Sequence, residues 1–287
     1  MEITTGKVKK NMLVAVYGPE SVGKTTFAAG FPSPVFLGAE SGTSTMDVAR
    51  TPEFKTYEEF LGQVDWLINN DHPYKTFVLD SLDWLEPYLF FHLTQGKMPI
   101  EEIAGGYGKY VGVINGHYSS LMSKLSTLRK KMHIVIIAHA QMKKFSDPVH
   151  NEAYDRYTLK LYSEKSSQLW KEYFECLLFM NFEIVVSKDR NGKIKTYGDG
   201  IRKLYTEHRP SFDAKNRCSL PFEMESDSIS FISKYMEAYG EDEMPNLIDQ
   251  LKMVDLEKGS QAEAFYLENK MDSGKMLALR NKIRALL

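Results

Sequence analysis

The sequence of 287 residues has only two cysteines, Cys176 and Cys218. Two are too few for a disulfide framework or a four-cysteine zinc site, which predicts a reducing compartment. No apolar run approaches the roughly 20 residues that span a bilayer. Residues 1–11 are polar and carry lysines rather than the apolar stretch of a signal peptide. We therefore expect a soluble cytoplasmic protein that is not attached to a membrane.

The chain also lacks a strong excess of either charge, since its formal net charge is −2. The charges are unevenly distributed along it. Residues 1–222 contain 28 basic and 25 acidic side chains, whereas residues 223–287 contain 8 basic and 13 acidic ones. A mildly basic body is compatible with nucleic-acid binding but does not require it. An ordinary solvated surface explains the same counts.

Four short apolar runs, each ended by glycine or polar residues, are typical of buried parallel strands. They are Met12–Tyr17, Pro34–Gly38, Thr76–Asp80 and Ile134–Ala138. Between them, residues 57–69 and 111–128 place apolar side chains at helical spacing. The alternation of strands and helices predicts an α/β fold with a mainly parallel sheet.

The pattern changes after about residue 175. Cys176–Ser187, Lys193–Tyr197 and Ile201–Thr206 are typical of antiparallel strands, and Asn191 with Gly192 predicts a tight turn. From residue 228 onward the apolar spacing is helical, and Ser260 with Glu263 matches a capping box at a helix start. We predict a core of residues 1–227 and a small helical appendage of residues 228–287.

The strongest motif directly follows the first predicted strand. Residues 18–25 fit the pattern G-x-x-x-x-G-K-[S/T] of a phosphate-binding loop. In such a loop, backbone N–H groups curl around the phosphates, Lys24 reaches the β- and γ-phosphates, and the Thr25 hydroxyl binds Mg²⁺. A glycine turn before a helix is the structural alternative. The motif predicts ATP and Mg²⁺ as cofactors, and its nucleotide contacts are Gly18, Pro19, Glu20, Ser21, Val22, Gly23, Lys24, Thr25 and Thr26.

A second residue for Mg²⁺ is expected at a strand end, and Asp80 ends one of the apolar runs. Its alternative role is to cap the helix that follows. The next residue is Ser81 rather than a glutamate, which disfavours the AAA+ group. We therefore take the general base to be Glu40, which ends the second predicted strand, next to the loop's own strand in an adjacent-order sheet. A solvated strand-end carboxylate is the alternative for Glu40, and Asp83 or Glu86 would then supply the base.

The phosphate-binding loop, followed by Gly38-Ala39-Glu40 and by Asp80-Ser81, resembles the ATPase core of the RecA superfamily. Over roughly residues 10–223 the chain is most similar to the phage RecA-like recombinases and single-strand-annealing ATPases of the Sak-four group. The resemblance implies a RecA-like core with antiparallel strands toward its C-terminal side. It also implies ATP hydrolysis, and a location in the host cytoplasm if the protein is encoded by a phage.

Two later segments add to the resemblance. His139 and Gln141 follow the fourth predicted strand, and either one matches the family's polar sensor of the γ-phosphate. Lys215 and Arg217 match, position by position, two cations that reach the neighbouring subunit's γ-phosphate in filaments of the family. The simpler alternatives are a strand-end histidine bonded to backbone and a solvated basic turn.

The family's DNA-contacting loops correspond by position to Ile103–Lys109 and Met142–Arg156. Tyr107 lies among glycines in the first loop, and Lys143 and Lys144 lie in the second. Aromatic and cationic side chains on a flexible backbone can contact single-stranded DNA. The alternative for Tyr107 is packing at the start of a helix.

The sequence thus predicts an ATPase that assembles on single-stranded DNA and promotes strand pairing or annealing. Its expected partners are single-stranded DNA, a single-strand-binding protein, and further copies of the chain. Those copies would form a filament or a ring with the nucleotide at the subunit interface. Two alternatives stay open: an oligomeric RecA-fold motor or switch, and a module that binds ATP only to set its assembly state.

Overall fold

Six neighbouring strands of a ten-stranded sheet run parallel to one another in the computed structural model. The structure describes residues 3, 10–38, 43–147, 152–183, 185–188, 194–238, 244–269 and 273–287. Glu40, Asn191 and Gly192 lie outside these ranges. Within them, no helix has the length and apolar character needed to cross a membrane.

The four apolar runs are confirmed as strands of this sheet. The strands are β1 (Leu13–Gly18), β2 (Pro34–Gly38), β3 (Ala49–Arg50), β4 (Thr76–Asp80), β5 (His133–Asp147), β6 (Glu152–Leu159), β7 (Cys176–Phe182), β8 (Val185–Lys188), β9 (Ile194–Tyr197), β10 (Arg202–Tyr205), β11 (Lys215–Asn216) and β12 (Glu223–Glu225). Strands β8 and β9 form a separate antiparallel pair. Strands β10, β11 and β12 are antiparallel and join the main sheet on the β7 side, and β6 pairs antiparallel with β5. The predicted fold class is therefore confirmed.

The order along the sheet is β12-β10-β7-β1-β5-β4-β2-β3. Strand β1 lies between β5 and β7, and β2 pairs with β4. The expectation that the second strand neighbours the first is therefore wrong. A parallel connection crosses over through a helix, so chain order does not determine which strands become neighbours.

The register of these strands brings polar residues to one edge of the sheet. Gly18 at the end of β1 lies opposite His139 of β5. Gly38 at the end of β2 lies opposite Asp80 of β4. The carboxyl ends of parallel strands face the crevice in which open α/β sheets bind ligands.

Helices cover both faces of the sheet. They are α1 (Lys24–Ala29), α2 (Tyr57–Asn69), α3 (Leu82–Thr94), α4 (Tyr110–Leu128), α5 (Glu164–Tyr173), α6 (Ser228–Ala238), α7 (Met244–Val254), α8 (Leu256–Asn269) and α9 (Ser273–Arg284). Helices α2 to α5 bury apolar side chains in one core, and α1 and α6 bury theirs in the core on the opposite face. The predicted helices over residues 57–69 and 111–128 correspond to α2 and α4. The predicted capping box is wrong, because Ser260 lies inside α8 and Asp255 caps that helix through the Lys258 N–H.

Helix α6 packs on the sheet, although the boundary predicted at residue 228 assigns it to the appendage. The Phe231 ring lies 5.6 Å from the Phe27 ring and 6.0 Å from the Phe31 ring of the core. Ile232 and Tyr235 are buried in the same core. Helices α7, α8 and α9 instead bury their apolar side chains in a cluster of their own. Helix α6 thus shares its core with the sheet.

The segment expected to be the second DNA loop forms a β-hairpin. Strand β5 continues through Asp147 and pairs antiparallel with β6, from Ala140 opposite Leu159 to Asp147 opposite Glu152. We refer to these paired segments, residues 140–147 and 152–159, as the β5–β6 arm. Its side chains are mostly exposed or half-buried. An exposed strand does not need a continuous apolar run, and such a run is the pattern that predicted the buried strands.

We predict that a chain ending at Ala238 unfolds cooperatively, whereas a chain ending at Asp227 does not fold. Losing α6 uncovers the Phe27 and Phe31 side of the core. Three buried side chains at about 1.5–3 kcal/mol each amount to roughly 5–9 kcal/mol, a large share of a domain's usual 5–15 kcal/mol. Thermal unfolding followed by circular dichroism measures both chains. Loss of cooperative unfolding in the longer chain as well would make α7–α9 part of the same folding unit.

Candidate nucleotide-binding site

The predicted phosphate-binding loop connects the end of β1 to the start of α1. Gly18 sits against β7 so closely that a Cβ there would be 2.1 Å from the Met180 carbonyl oxygen. Gly23 has a φ of 101°, a conformation that favours glycine. Glycine is thus required at Gly18 because β7 leaves no room for a side chain, and at Gly23 because of its dihedral angle.

Lys24 is held beside this loop. Its side chain is 5% exposed, and its Nζ donates hydrogen bonds to the Gly18 carbonyl at 3.2 Å and the Pro19 carbonyl at 2.7 Å. The ammonium therefore lies where the motif requires a cation for the phosphates.

The two predicted Mg²⁺ residues are in contact with each other. The Thr25 hydroxyl donates a 2.8 Å hydrogen bond to a carboxylate oxygen of Asp80, which is 8% exposed. A hydroxyl and one carboxylate are the oxygen donors that a nucleotide-bound Mg²⁺ uses, because water and phosphates supply its remaining ligands. The described residues contain no cluster of three or more His, Cys, Asp or Glu that could hold a metal by itself. The residues present thus fit a Mg²⁺ that arrives with a nucleotide.

His139 and Gln141 have different surroundings. His139 faces the loop, and its backbone N–H and Nδ1 each lie 2.9 Å from an oxygen of the Asp83 carboxylate. Burial opposes ionisation of Asp83, but the hydrogen bonds from His139 prevail and lower the pKa of that carboxyl. The Gln141 amide instead donates to the carbonyls of Leu159 and Leu161, at 2.8 and 3.1 Å. Of the two sensor candidates, the structure places only His139 at the loop.

A cavity of about 410 Å³ opens between the loop and the strand ends. Its walls are formed by Ser21, Gly23, Lys24, Thr25, Thr26, Thr45, Met46, Asp80, His139 and Arg202. Val22 of the predicted set is instead buried in the core beneath the loop, and Gly18, Pro19 and Glu20 lie outside the cavity wall. Thr45, Met46 and Arg202 were not found from the sequence. The motif covers only the loop itself, and these three come from distant segments.

Lys215 and Arg217 line a different cleft, of about 810 Å³, which shares no residue with the nucleotide cavity. The Lys215 ammonium donates to the carbonyls of Lys171 and Glu172 at the C-terminal end of α5, at 3.1 and 2.8 Å. Burial lowers the pKa of Lys215, and the positive charge of Arg217 lowers it further. Within its own chain, this pair is turned toward α5 and the β5–β6 arm.

Glu86, an alternative general base, is enclosed by protein groups. It is 6% exposed, and its carboxylate accepts hydrogen bonds from the Tyr118 hydroxyl at 2.7 Å and the Tyr162 backbone N–H at 2.9 Å. Burial raises the pKa of Glu86 to about 7, although the hydrogen bond from Tyr118 acts in the opposite direction. Glu86 connects α3 to α4 and to the segment before α5, and it does not line the nucleotide cavity.

A phosphate-binding loop between a buried strand and a helix, joined to a strand-end aspartate, defines a P-loop nucleoside-triphosphatase fold. The AAA_24 family model, described as an AAA domain, matches residues 10–218, and the chain belongs to this family. The RadB recombinase structure is similar with a TM-score of 0.38 and 14% identity, over 70% of this chain and 83% of that one. No curated protein matches the chain.

Glu86→Gln is predicted to stabilise the protein at pH 8 but not at pH 5. The folded-state pKa is raised, so folding favours the protonated acid, and stability falls as pH rises from about 4.5 to about 7. An uncharged glutamine avoids this loss, which amounts to about 3 kcal/mol at pH 8. Urea unfolding at the two pH values measures the difference, with exposed Glu102→Gln as the control. Equal effects at both pH values would contradict the structural role, and loss of ATP turnover in a stable variant would assign Glu86 to catalysis.

Proposed function

We propose that this protein is a Mg²⁺-dependent ATPase that assembles on single-stranded DNA and promotes strand pairing or annealing. The contact between Thr25 and Asp80 beside Lys24 carries the nucleotide part of the proposal. It joins the hydroxyl of the loop to the carboxylate of another strand, which is the pair that Mg²⁺-nucleotide chemistry requires.

The residues around the cavity have separable roles in this proposal. Lys24 neutralises the β- and γ-phosphates, and Thr25 with Asp80 holds Mg²⁺, whose charge stabilises the phosphates when it is bound. His139, oriented by Asp83, senses the γ-phosphate from the end of β5. Glu40 remains the proposed general base, because it follows β2, whose last residue Gly38 is level with Asp80.

The β5–β6 arm and the Tyr107 loop support the DNA part of the proposal. The Arg156 guanidinium lies 3.9 Å from the centre of the Phe145 ring, and Lys143 and Lys144 line the same cleft. The Tyr107 side chain is 99% exposed at the tip of a loop rich in glycine, so the packing alternative does not apply to it. Exposed rings that stack on bases, with cations for phosphates, bind single strands with little sequence preference.

The second cation pair supports assembly. Lys215 and Arg217 lie apart from their own subunit's nucleotide cavity. We infer that they complete the site of a neighbouring subunit, where arginine can bind two phosphate oxygens at once. A RecA-fold motor or switch would use the same pair, so DNA binding distinguishes the two functions. A single-strand-binding protein remains a proposed partner.

We predict that the protein binds a fluorescent oligonucleotide in the presence of ATP and Mg²⁺, with an affinity that falls as salt is added. Lys143→Ala/Lys144→Ala should weaken binding and reduce the salt slope by about one per lysine. The matched control is Lys130→Ala/Lys131→Ala, an exposed lysine pair beyond the opposite end of β5.

Lys24→Ala should abolish ATP hydrolysis. ATP hydrolysis without DNA binding would favour the motor or switch function, and hydrolysis by Lys24→Ala at the wild-type rate would refute the ATPase.

Mixed subunits test whether Lys215 and Arg217 act on a neighbour. Lys24→Ala subunits retain the cation pair, and Lys215→Ala/Arg217→Ala subunits retain the loop. Each should be nearly inactive alone, and their mixture should recover part of the ATPase activity through hybrid interfaces. Light scattering confirms assembly, and thermal unfolding confirms that the loss of the Lys215 contacts to α5 leaves the fold intact. No recovery from folded, assembled subunits would show that the pair does not act on a neighbour.

A further inference from the structure

Arg202 lies beside the phosphate-binding loop, although it is far from the loop in sequence. It begins β10, where it pairs with Phe182 of β7. Its Nη1 would be 3.0 Å, and its Cζ 3.6 Å, from a Cβ placed on Gly23. The guanidinium therefore occupies the space that the missing side chain of Gly23 leaves open.

The charge of Arg202 is not neutralised within the part of the chain that the structure describes. No carboxylate of those residues forms an ion pair with it, and its neighbour on the sheet, the Phe182 ring, is 6.0 Å away. The next residue, Lys203, behaves differently, because it forms a 2.9 Å ion pair with Glu223. Successive residues of a strand point to opposite faces. Arg202 is thus on the loop's face of the sheet, and Lys203 is on the other.

We propose that Arg202 is a nucleotide-binding residue that acts within its own subunit and binds the α- and β-phosphates. Backbone N–H groups of a phosphate-binding loop cradle these two phosphates, whereas the loop lysine reaches the β- and γ-phosphates. A guanidinium beside Gly23 therefore meets the part of the nucleotide that ATP and ADP share. Its planar fork can donate to two phosphate oxygens. The inference rests on the proposed nucleotide site and adds a binding residue to it.

This position predicts a particular kinetic effect. An interaction made equally with substrate and product strengthens binding without lowering the barrier of the chemical step. Arg202→Ala should weaken the binding of ATP and ADP by similar factors, about 10–100-fold for a charge-assisted hydrogen bond. It should raise KM and leave kcat within about threefold. Arg202→Lys should recover part of the affinity because it restores the charge, and Lys203→Ala on the opposite face should resemble the wild type.

Titration with fluorescent ATP and ADP, followed by displacement with inorganic pyrophosphate, tests the proposal. Pyrophosphate should displace the label from the wild-type protein and do so much less effectively from Arg202→Ala. Equal pyrophosphate affinity in both proteins would overturn the proposal, since Arg202 would then contact the base or the ribose. If the wild-type protein binds nucleotide and Arg202→Ala binds it equally well, the role of Arg202 is refuted but the nucleotide site is not. A wild-type protein that binds no nucleotide refutes the site itself.

Mixed subunits at limiting ATP test whether Arg202 acts in its own subunit. Both Arg202→Ala and Lys24→Ala damage the same site in this proposal, so their mixture should recover no activity. Arg202→Ala mixed with Lys215→Ala/Arg217→Ala should recover some activity if the latter pair acts on a neighbour. Recovery in the first mixture would place Arg202 at the interface and overturn the assignment.

Discussion

The hydrogen bond from Thr25 to Asp80 joins two segments that the sheet keeps apart. Thr25 follows β1 and Asp80 ends β4, and β5 lies between these strands. The contact therefore depends on both registers of β5, which set Gly18 opposite His139 and Leu79 opposite Ile136. A shift of β5 by one residue would turn His139 to the other face of the sheet and remove it from the cavity. The positions of the proposed metal, phosphate and sensor groups thus depend on how β5 pairs with β1 and with β4.

Asp83 and Glu86 show how the surroundings set the charge of similar groups. They are neighbours on one face of α3, about one helical turn apart, and both are buried. Two hydrogen bonds from His139 keep the pKa of Asp83 low despite its burial. Burial raises the pKa of Glu86, because the hydrogen bond from the neutral Tyr118 hydroxyl offsets it only in part. A charged Asp83 can orient the histidine at the loop. Glu86 is protonated more easily, and a neutral carboxyl is suited to a buried position between helices.

Local signals made most of the residues that line the nucleotide cavity predictable from the sequence. Buried parallel strands are continuous apolar runs, so β1, β2, β4 and the first part of β5 could be located, and the loop motif identified Lys24 and Thr25 with their neighbours. The order of the strands in the sheet could not be predicted from the sequence, because each crossover connection can place its next strand on either side of the strands already paired. Arg202 gave no signal, since its position depends on β10 pairing with β7 far from the loop. The polar, exposed β5–β6 arm likewise lacked the apolar pattern of a strand.

The antiparallel strands place the two sets of cations in different clefts. Strand β10 brings Arg202 over its own loop, whereas β11 sets Lys215 against the C-terminal end of α5. Those helix carbonyls bear partial negative charge and favour a cation there. Moving Lys215 to its own loop would break both hydrogen bonds and separate β11 from β7. In the proposed mechanism, one subunit therefore binds the nucleotide with Lys24 and Arg202 but lacks the second pair. In that mechanism the γ-phosphate meets the pair only when another copy presents it, so hydrolysis would depend on assembly.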